Sequence, residues 1–470
     1  MKKRLAFALS LILGLIMFTN LLANEWYNVG SAGFSLGQAD YTNLCLNENG
    51  IPYIVFKDVP TVSRATVMRF WDSSWEIVGS AGFSTGEADY TNIAFDASGV
   101  PYVVFQDGAN SDQATVMKYN GSSWEIVGTA GFSAGVAQYT SLAIASSGMP
   151  YVAYRDGSNS NKVTVMKYNG TSWVVVGSEG FSAGASDYIS FAIDEADVPY
   201  VAYQDAASAS KVTVMKFNGS SWELVGSAGF SQSYAFFISL AVDKVGTPYV
   251  LYQDGGNGFK ATVKKFNGTS WETVGPVGFS ASQASRQSLA IDTSGTIFAA
   301  YHDDGNESKA TVMKFNGTAW DSVGRCGFSA GEVVDLSLVI TLDGIPVIAY
   351  QDAENSSKAT VMKFAESGDT PVSVQSIPYE YEILNIYPNP FNPTTTLEYA
   401  LPVNSTIECC IFDVSGHLVK EYNFNQSAGR HCIIWDGANI VSGIYLIRFT
   451  AKAKDGSTTF INYQKVTLLK

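Results

Sequence analysis

Histidine is almost missing from this chain. There are three in 470 residues, and His417 and His431 fall near the C-terminus. A zinc centre or a serine–histidine pair in the rest of the chain would have only His302 to draw on. Cysteine is nearly as scarce. Cys45, Cys326, Cys409, Cys410 and Cys432 are odd in number and follow no metal-ligand spacing. Unpaired strand residues are expected, with a bridge from Cys432 to Cys409 or Cys410 as the alternative in an exported protein. Charged residues make up 15% of the chain, with a net charge of −14. That balance disfavours nucleic acid and anionic membrane surfaces as partners. After residue 22 no apolar run is long enough to span a bilayer. No Gly-x-Ser-x-Gly nucleophile elbow, His-Glu-x-x-His helix, phosphate loop or Cys-x-x-Cys pair is expected.

Aromatic residues and glycine are plentiful, and they keep a fixed interval. Trp26, Trp75, Trp124, Trp173, Trp222, Trp271 and Trp320 stand 49 residues apart. A series from Phe34 to Phe328 and another from Asp58 to Asp352 keep the same step. Within each unit, β-branched and aromatic runs alternate with Gly, Pro, Asn and Ser, so four short strands are expected. In the third unit these cover residues 139–144, 151–154, 163–168 and 173–176. Asn-Gly at 120–121, 169–170, 218–219, 267–268 and 316–317 marks the hairpin between the third and fourth strands. A repeat of this length built from four strands predicts a β-propeller. The array opens with a lone fourth strand around Trp26 and ends with three strands at Phe364. Placing Trp26 beside residues 359–364 closes a ring of seven blades and protects both terminal edges.

The N-terminus reads as an export signal, with a basic start at residues 1–4, an apolar stretch to Leu22, and Ala23 before the cleavage point. The period stops after Phe364, and residues 365–382 are small, polar and proline-bearing, as linkers are. Beyond them the landmarks are Tyr-Pro-Asn-Pro-Phe-Asn-Pro at 387–393, Trp435-Asp436-Gly437, Ser442-Gly443-Ile444-Tyr445-Leu446 and a tail of Lys-Val-Thr-Leu-Leu-Lys. This stretch resembles the type A C-terminal sorting domain of substrates of the type IX (Por) secretion system. The resemblance covers residues 383–470. It implies an immunoglobulin-like β-sandwich recognised by the outer-membrane translocon, with release of the propeller or its attachment at the cell surface. It also implies that the last residues carry the export signal, here Lys465, Val466, Leu468, Leu469 and Lys470. The expected domains are therefore a signal peptide (1–23), a seven-bladed propeller (24–364), a linker (365–382) and the sorting domain (383–470).

Seven near-copies supply the same residue seven times, so distinctive chemistry is expected where a copy breaks the pattern. Arg286 and Asp335 replace the Tyr of Tyr90, Tyr139 and Tyr188, and His302 stands where sister units carry Gln. Connectivity puts all three near the channel on the face that carries the repeated Asp. They could bind a sugar acid or act as general acid and base, against a plainer reading in which Arg286 and Asp335 simply pair. The seven aspartates (Asp58, Asp107, Asp156, Asp205, Asp254, Asp303 and Asp352) are candidate ligand-binding residues on that face. Ca²⁺ is their only candidate metal, although an Asp opening a loop more often accepts backbone N–H groups. Tyr41, Tyr90, Tyr139 and Tyr188 are candidates for stacking on sugar rings. The Asp-box order of sialidases is not reproduced. The expected protein is a non-enzymatic binder of a glycan or protein, acting as a monomer, with no cofactor and no membrane insertion after signal cleavage. An extracellular carbohydrate-active hydrolase or lyase is the alternative, and a surface scaffold without a small ligand the third reading.

Overall fold

The computed structural model describes residues 25–365 and 381–470, apart from positions 427, 428, 439, 455 and 457. The expected signal peptide and most of the expected linker fall outside the described residues. The chain divides into two compact units, one of them built from the repeats.

The repeat unit forms seven antiparallel four-stranded sheets. The third shows the plan, with strand a at Ala137–Ile144, b at Pro150–Asp156, c at Lys162–Tyr168 and d at Trp173–Val175, hydrogen-bonded in that order. Strand b is buried on both faces, as Val152 and Ala153 are fully enclosed. It therefore reads as a continuous apolar run rather than an alternating one. The c–d hairpin turns at Asn169-Gly170. Gly170 takes a φ of 98°, and Asn169 Oδ1 accepts the N–H groups of Thr171 and Ser172.

Strand a is innermost. Its Asn or Ser reaches the next blade, as where the Leu142 N–H donates to Asn92 Oδ1 at 3.0 Å and the Leu240 N–H to Ser190 Oγ at 3.0 Å. In the same way Leu44 N–H donates to Ser337 Oγ at 3.1 Å, between the first blade and the last. The ring is closed.

The 49-residue step measures a contact between blades. From Trp75 to Trp320 each Trp Nε1 of the series donates to a Val carbonyl 46 residues earlier and its ring stacks on the Phe of the intervening loop. Trp75 does so with Val29 (2.7 Å) and Phe34 (centroids 4.0 Å). A Cβ on Gly30, which sits at φ 74°, would come within 3.1 Å of the Trp75 ring. The sequence expectation for the ends holds. Glu25–Asn28 is the outer strand of the seventh blade, with Trp26 opposite Phe364. Trp26 Nε1 donates to Val323 O at 2.8 Å, and its ring stacks on Phe328 at 4.1 Å.

The second unit is a sandwich of a three-stranded and a four-stranded sheet. The smaller pairs Thr394–Leu401 with Glu382–Tyr387 and Gly429–Asp436, and the larger runs Leu418–Gln426, Ser405–Asp413, Gly443–Ala453, Thr459–Leu468. One core joins them, including Phe391, Tyr399, Ile407, Trp435, Phe449 and Leu468. Cys45, Cys326, Cys409 and Cys410 are free thiols. Burial pushes Cys45 up to about 11 and Cys409 up to about 12, which keeps both protonated. The side chain of Cys432 lies outside the described residues.

Candidate functional site at the channel mouth

The repeated aspartates end strand b and cap the 3₁₀ turn that opens the next loop, five of them accepting a backbone N–H two residues on as expected, and their carboxylates are buried. All seven are at most 1% exposed. In the second blade Asp107 Oδ1 accepts the Ala109 N–H at 3.1 Å. Its Oδ2 accepts Asn110 Nδ2 at 2.8 Å and Thr115 Oγ1 at 2.7 Å. This pattern recurs at Asp156, Asp254 and Asp303, and at Asp205 with Ser208 in place of Asn. In the first blade Pro60 occupies the position of the donor and has no N–H, so Asp58 Oδ1 is left unbonded. Burial raises the pKa of Asp58 above the usual carboxylate range. Among the described residues no group of three or more His, Cys, Asp or Glu is placed to hold a metal ion. The aspartates are buried girders of each blade, out of reach of a ligand at the surface.

The letters Gly-x-Ser-x-Gly do occur, in the loops at 33–37, 82–86, 131–135, 180–184 and 327–331. None is a nucleophile elbow, because the serine is buried in a clasp. Ser133 Oγ donates to Gly135 O at 2.7 Å and accepts the Ala114 N–H at 2.9 Å.

Exposed chemistry gathers two residues into strand a. Each strand a carries a β-bulge there, as between Gln138 and Ser141. The third residue takes a left-handed backbone with φ between 48° and 53° in all seven blades, at Tyr41, Tyr90, Tyr139, Tyr188, Phe237, Arg286 and Asp335. A bulge re-aims the side chain it carries, here toward the ring axis. Consecutive rings then touch around the channel. Centroids lie 5.0 Å apart for Tyr41–Tyr90, 5.1 Å for Tyr90–Tyr139, 5.7 Å for Tyr139–Tyr188 and 5.2 Å for Tyr188–Phe237. All are half-buried. Burial pushes the Tyr41 and Tyr139 hydroxyls up to about 12, so both remain donors. Phe237 joins the four tyrosines singled out in the sequence. Its signal was the period itself, since it falls on the same 49-residue step.

Arg286 and Asp335 complete the circle as an ion pair, Nη1 to Oδ1 3.2 Å. Asp335 Oδ2 also accepts the Tyr41 N–H at 2.6 Å, which ties the last blade to the first. Burial lifts the Asp335 carboxyl above the usual range, against the pull of that N–H and of Arg286. His302 makes no hydrogen bond to either. It is 8% exposed, its nearest carboxylate is Asp304 at 3.4 Å, and neither ring nitrogen makes a hydrogen bond within the protein. Of the Arg–Asp–His cluster expected from connectivity, an ion pair joins Arg286 to Asp335, and His302 feels the Arg286 charge without a hydrogen bond to either residue.

Sister residues at the position of His302 clamp one blade to the next. Gln204 Nε2 donates to Ala235 O at 2.6 Å and Gln351 Nε2 to Ala39 O at 3.1 Å. Lys57 lies 2.6 Å from Asp89, and Arg155 3.4 Å from Asp187. Burial, the largest influence on His302, lowers its pKa. The folded ring therefore resists a proton that the unfolded chain accepts near pH 6.5. The stability involved is complete above that value and is lost as pH falls through it toward the folded pKa. His302→Gln should restore the clamp, adding about 0.5–1.5 kcal/mol at pH 7. It should also make the loss between pH 7 and pH 5 shallower in urea unfolding. Identical pH slopes for the two proteins would rule out this role.

In the sandwich, the residues of the sequence landmarks meet in the core. Phe391 packs on Trp435 at 5.0 Å, Trp435 lies edge-on to Tyr445 at 5.2 Å, and Tyr445 OH donates to Val441 O at 2.6 Å. The tail splits into two sets. Val466 and Leu468 are fully buried, whereas Lys465, Leu469 and Lys470 are exposed.

Residues 385–462 match the family model of the secretion system C-terminal sorting domain. That match indicates export to the cell surface or extracellular space and a secretion system as partner. No curated protein matches the chain. Solved structures similar to it include a polysaccharide lyase of family PL25, an ulvan lyase, bound to -[GlcA(1-4)Rha3S]-. It is 14% identical, with a TM-score of 0.49, over 75% of this chain and 99% of that one. A mutant of the Aleuria aurantia lectin AAL in complex with Fucα1-6GlcNAc is 16% identical, with a TM-score of 0.42, over 64% and 100%. The Penicillium chrysogenum α-L-arabinanase complexed with arabinobiose is 10% identical, with a TM-score of 0.43, over 74% and 99%.

Proposed function

We propose that the propeller is an exported, non-enzymatic glycan-binding module whose ligand docks on the aromatic arc at the channel mouth. The observation that carries this reading is the left-handed backbone of Tyr41, Tyr90, Tyr139, Tyr188 and Phe237. That conformation costs an L-residue with a Cβ about 1–2 kcal/mol, and glycine adopts it freely. Bulky side chains held there, five times running, are strain of the kind concentrated at ligand sites. The arc offers apolar ring faces and phenolic donors. Beside it stand Lys57, paired with Glu87 and Asp89, and Arg155, paired with Asp187. Apolar walls with a few fixed polar groups are what a sugar requires, since it presents C–H faces and hydroxyls together.

The test is a glycan array read with the full chain and with the double variant Tyr139→Gly, Tyr188→Gly. Relief of the left-handed strain offsets the lost packing, so the thermal midpoint should stay within a few degrees. The best-bound glycan should lose at least tenfold in affinity, the size of effect expected when two central anchors are removed. Unchanged affinity in the variant, or an array with no bound glycan, would reject the reading.

A further inference from the structure

The opposite face of the ring repeats a different arrangement. Strand a runs from the bulge toward the a–b turn, so a–b turns and c–d hairpins lie together at the far end of every blade. Clefts open there between blades. Four have volumes of about 410, 480, 580 and 750 Å³, at the junctions of blades 1 and 2, 3 and 4, 4 and 5, and 5 and 6. These sizes fall within the range of about 300–1,000 Å³ typical of small-molecule sites.

Lys118, Asn120 and Glu125 line the cleft between blades 1 and 2, and Lys216, Asn218 and Glu223 the cleft between blades 3 and 4. Lys265 and Asn267 line the cleft between blades 4 and 5, with Glu272 bonded to these last two from outside it; strand register fixes all three sets. Lys118, Lys216 and Lys265 on strand c stand directly across from Glu125, Glu223 and Glu272 on strand d. In each pair the ammonium approaches one carboxylate oxygen, at 3.2, 3.4 and 3.2 Å. The hairpin asparagine donates Nδ2 to the other oxygen, from Asn120 at 3.3 Å, Asn218 at 3.1 Å and Asn267 at 3.2 Å. Tyr200 and Tyr249 line the cleft between blades 4 and 5, and both blades contribute a lysine to it. A partly exposed cross-strand ion pair contributes little to the sheet. Fold stability alone gives little reason to repeat the whole triad.

We infer that these inter-blade clefts are a second, multivalent set of carbohydrate sites, each taking one unit of a neutral polysaccharide. Each triad sets a carboxylate acceptor between two donors, the pattern that adjacent sugar hydroxyls satisfy, beside a tyrosine wall. Within the triads each ammonium faces a carboxylate, which favours a neutral sugar, although the cleft between blades 3 and 4 also holds Lys167, across from Val174. Sites arrayed round one face would engage a single polymer repeatedly, and the first contact would raise the effective concentration for the next. The copies are not equal. Val174 replaces the acid in blade 3, where Lys167 lies over the Tyr151 ring at 5.7 Å, and Tyr27 replaces it in blade 7.

The test is calorimetric titration of the full chain with cellohexaose, mannohexaose and xylohexaose. At least one should bind with more than one equivalent per chain. The triple variant Glu125→Ala, Glu223→Ala, Glu272→Ala, with its folding checked by circular dichroism, should lose those extra equivalents or weaken them at least tenfold. The Tyr139→Gly, Tyr188→Gly protein separates the two faces, since it should remove no more than one equivalent. A single equivalent abolished by that channel variant, an unchanged stoichiometry in the triple variant, or no binding of any of the three oligosaccharides would overturn the inference. Multiple equivalents that survive in the channel variant and vanish in the triple variant would uphold it even if the channel-mouth reading failed.

Discussion

Deleting residues 24–29 should open the ring and lower the stability of the whole propeller. Glu25–Asn28 supplies the outer strand of the seventh blade, and the Val29 N–H continues the pairing to Val361 O at 2.8 Å. Trp26 adds its hydrogen bond to Val323 O and its stack on Phe328. Trp26→Ala alone should cost about 3 kcal/mol, the lower end for a tryptophan because the ring is half-buried. The deletion should cost more, because it also uncovers the Lys358–Ala365 edge, where chains can pair with one another. Urea unfolding and light scattering of the full chain and the truncation would measure both effects. A truncation that unfolds at the same midpoint and stays monodisperse would show that the ring does not depend on this strand.

The second large effect is expected in the tail of the sorting domain, where neighbouring leucines have different work. Leu468 is fully enclosed and forms a bridge with Phe391, while Leu469 is 54% exposed. Leu468→Ala should therefore destabilise the sandwich by about 2–5 kcal/mol. Leu469→Ala should change stability by no more than about 0.5 kcal/mol. Export measured beside stability would then separate the two functions of the tail. Secretion lost in Leu469→Ala at unchanged stability would assign the exposed set, Lys465, Leu469 and Lys470, to recognition. If Leu469→Ala unfolded the domain as readily as Leu468→Ala, the division into core and surface would be wrong.

Much of the ring was legible in the sequence because its landmarks report contacts between blades. The tryptophan and phenylalanine series keep step because each Trp must meet the Phe and Val of the preceding loop, and an insertion in any one unit would break that contact. The Asn-Gly hairpins were legible from turn chemistry, and the sorting domain from motifs whose aromatic residues pack together in its core. The aspartate series was visible too, but its depth was not. The same letter suits a loop ligand or a buried girder, and only the positions of Ala109, Asn110 and Thr115 around Asp107 decide between them.

Burial and blade-to-blade geometry decided the rest. The sequence aligned Arg286 and Asp335 with the tyrosines. It could not reveal that a bulge with φ near 50° turns all seven positions to the axis, or that the imidazole of His302 is buried without a hydrogen bond. The inter-blade clefts were hidden for a similar reason, since each is made by residues of two units and no single unit contains a site. By itself, then, the sequence determined the unit, the count of seven, the closing strand and the export module, because each rests on local patterning or on a fixed interval. Which side chains face the channel, which are buried girders and which share a cleft were decided only by the tertiary structure. Those assignments depend on strand register and on the neighbouring blade, and neither is encoded within one repeat.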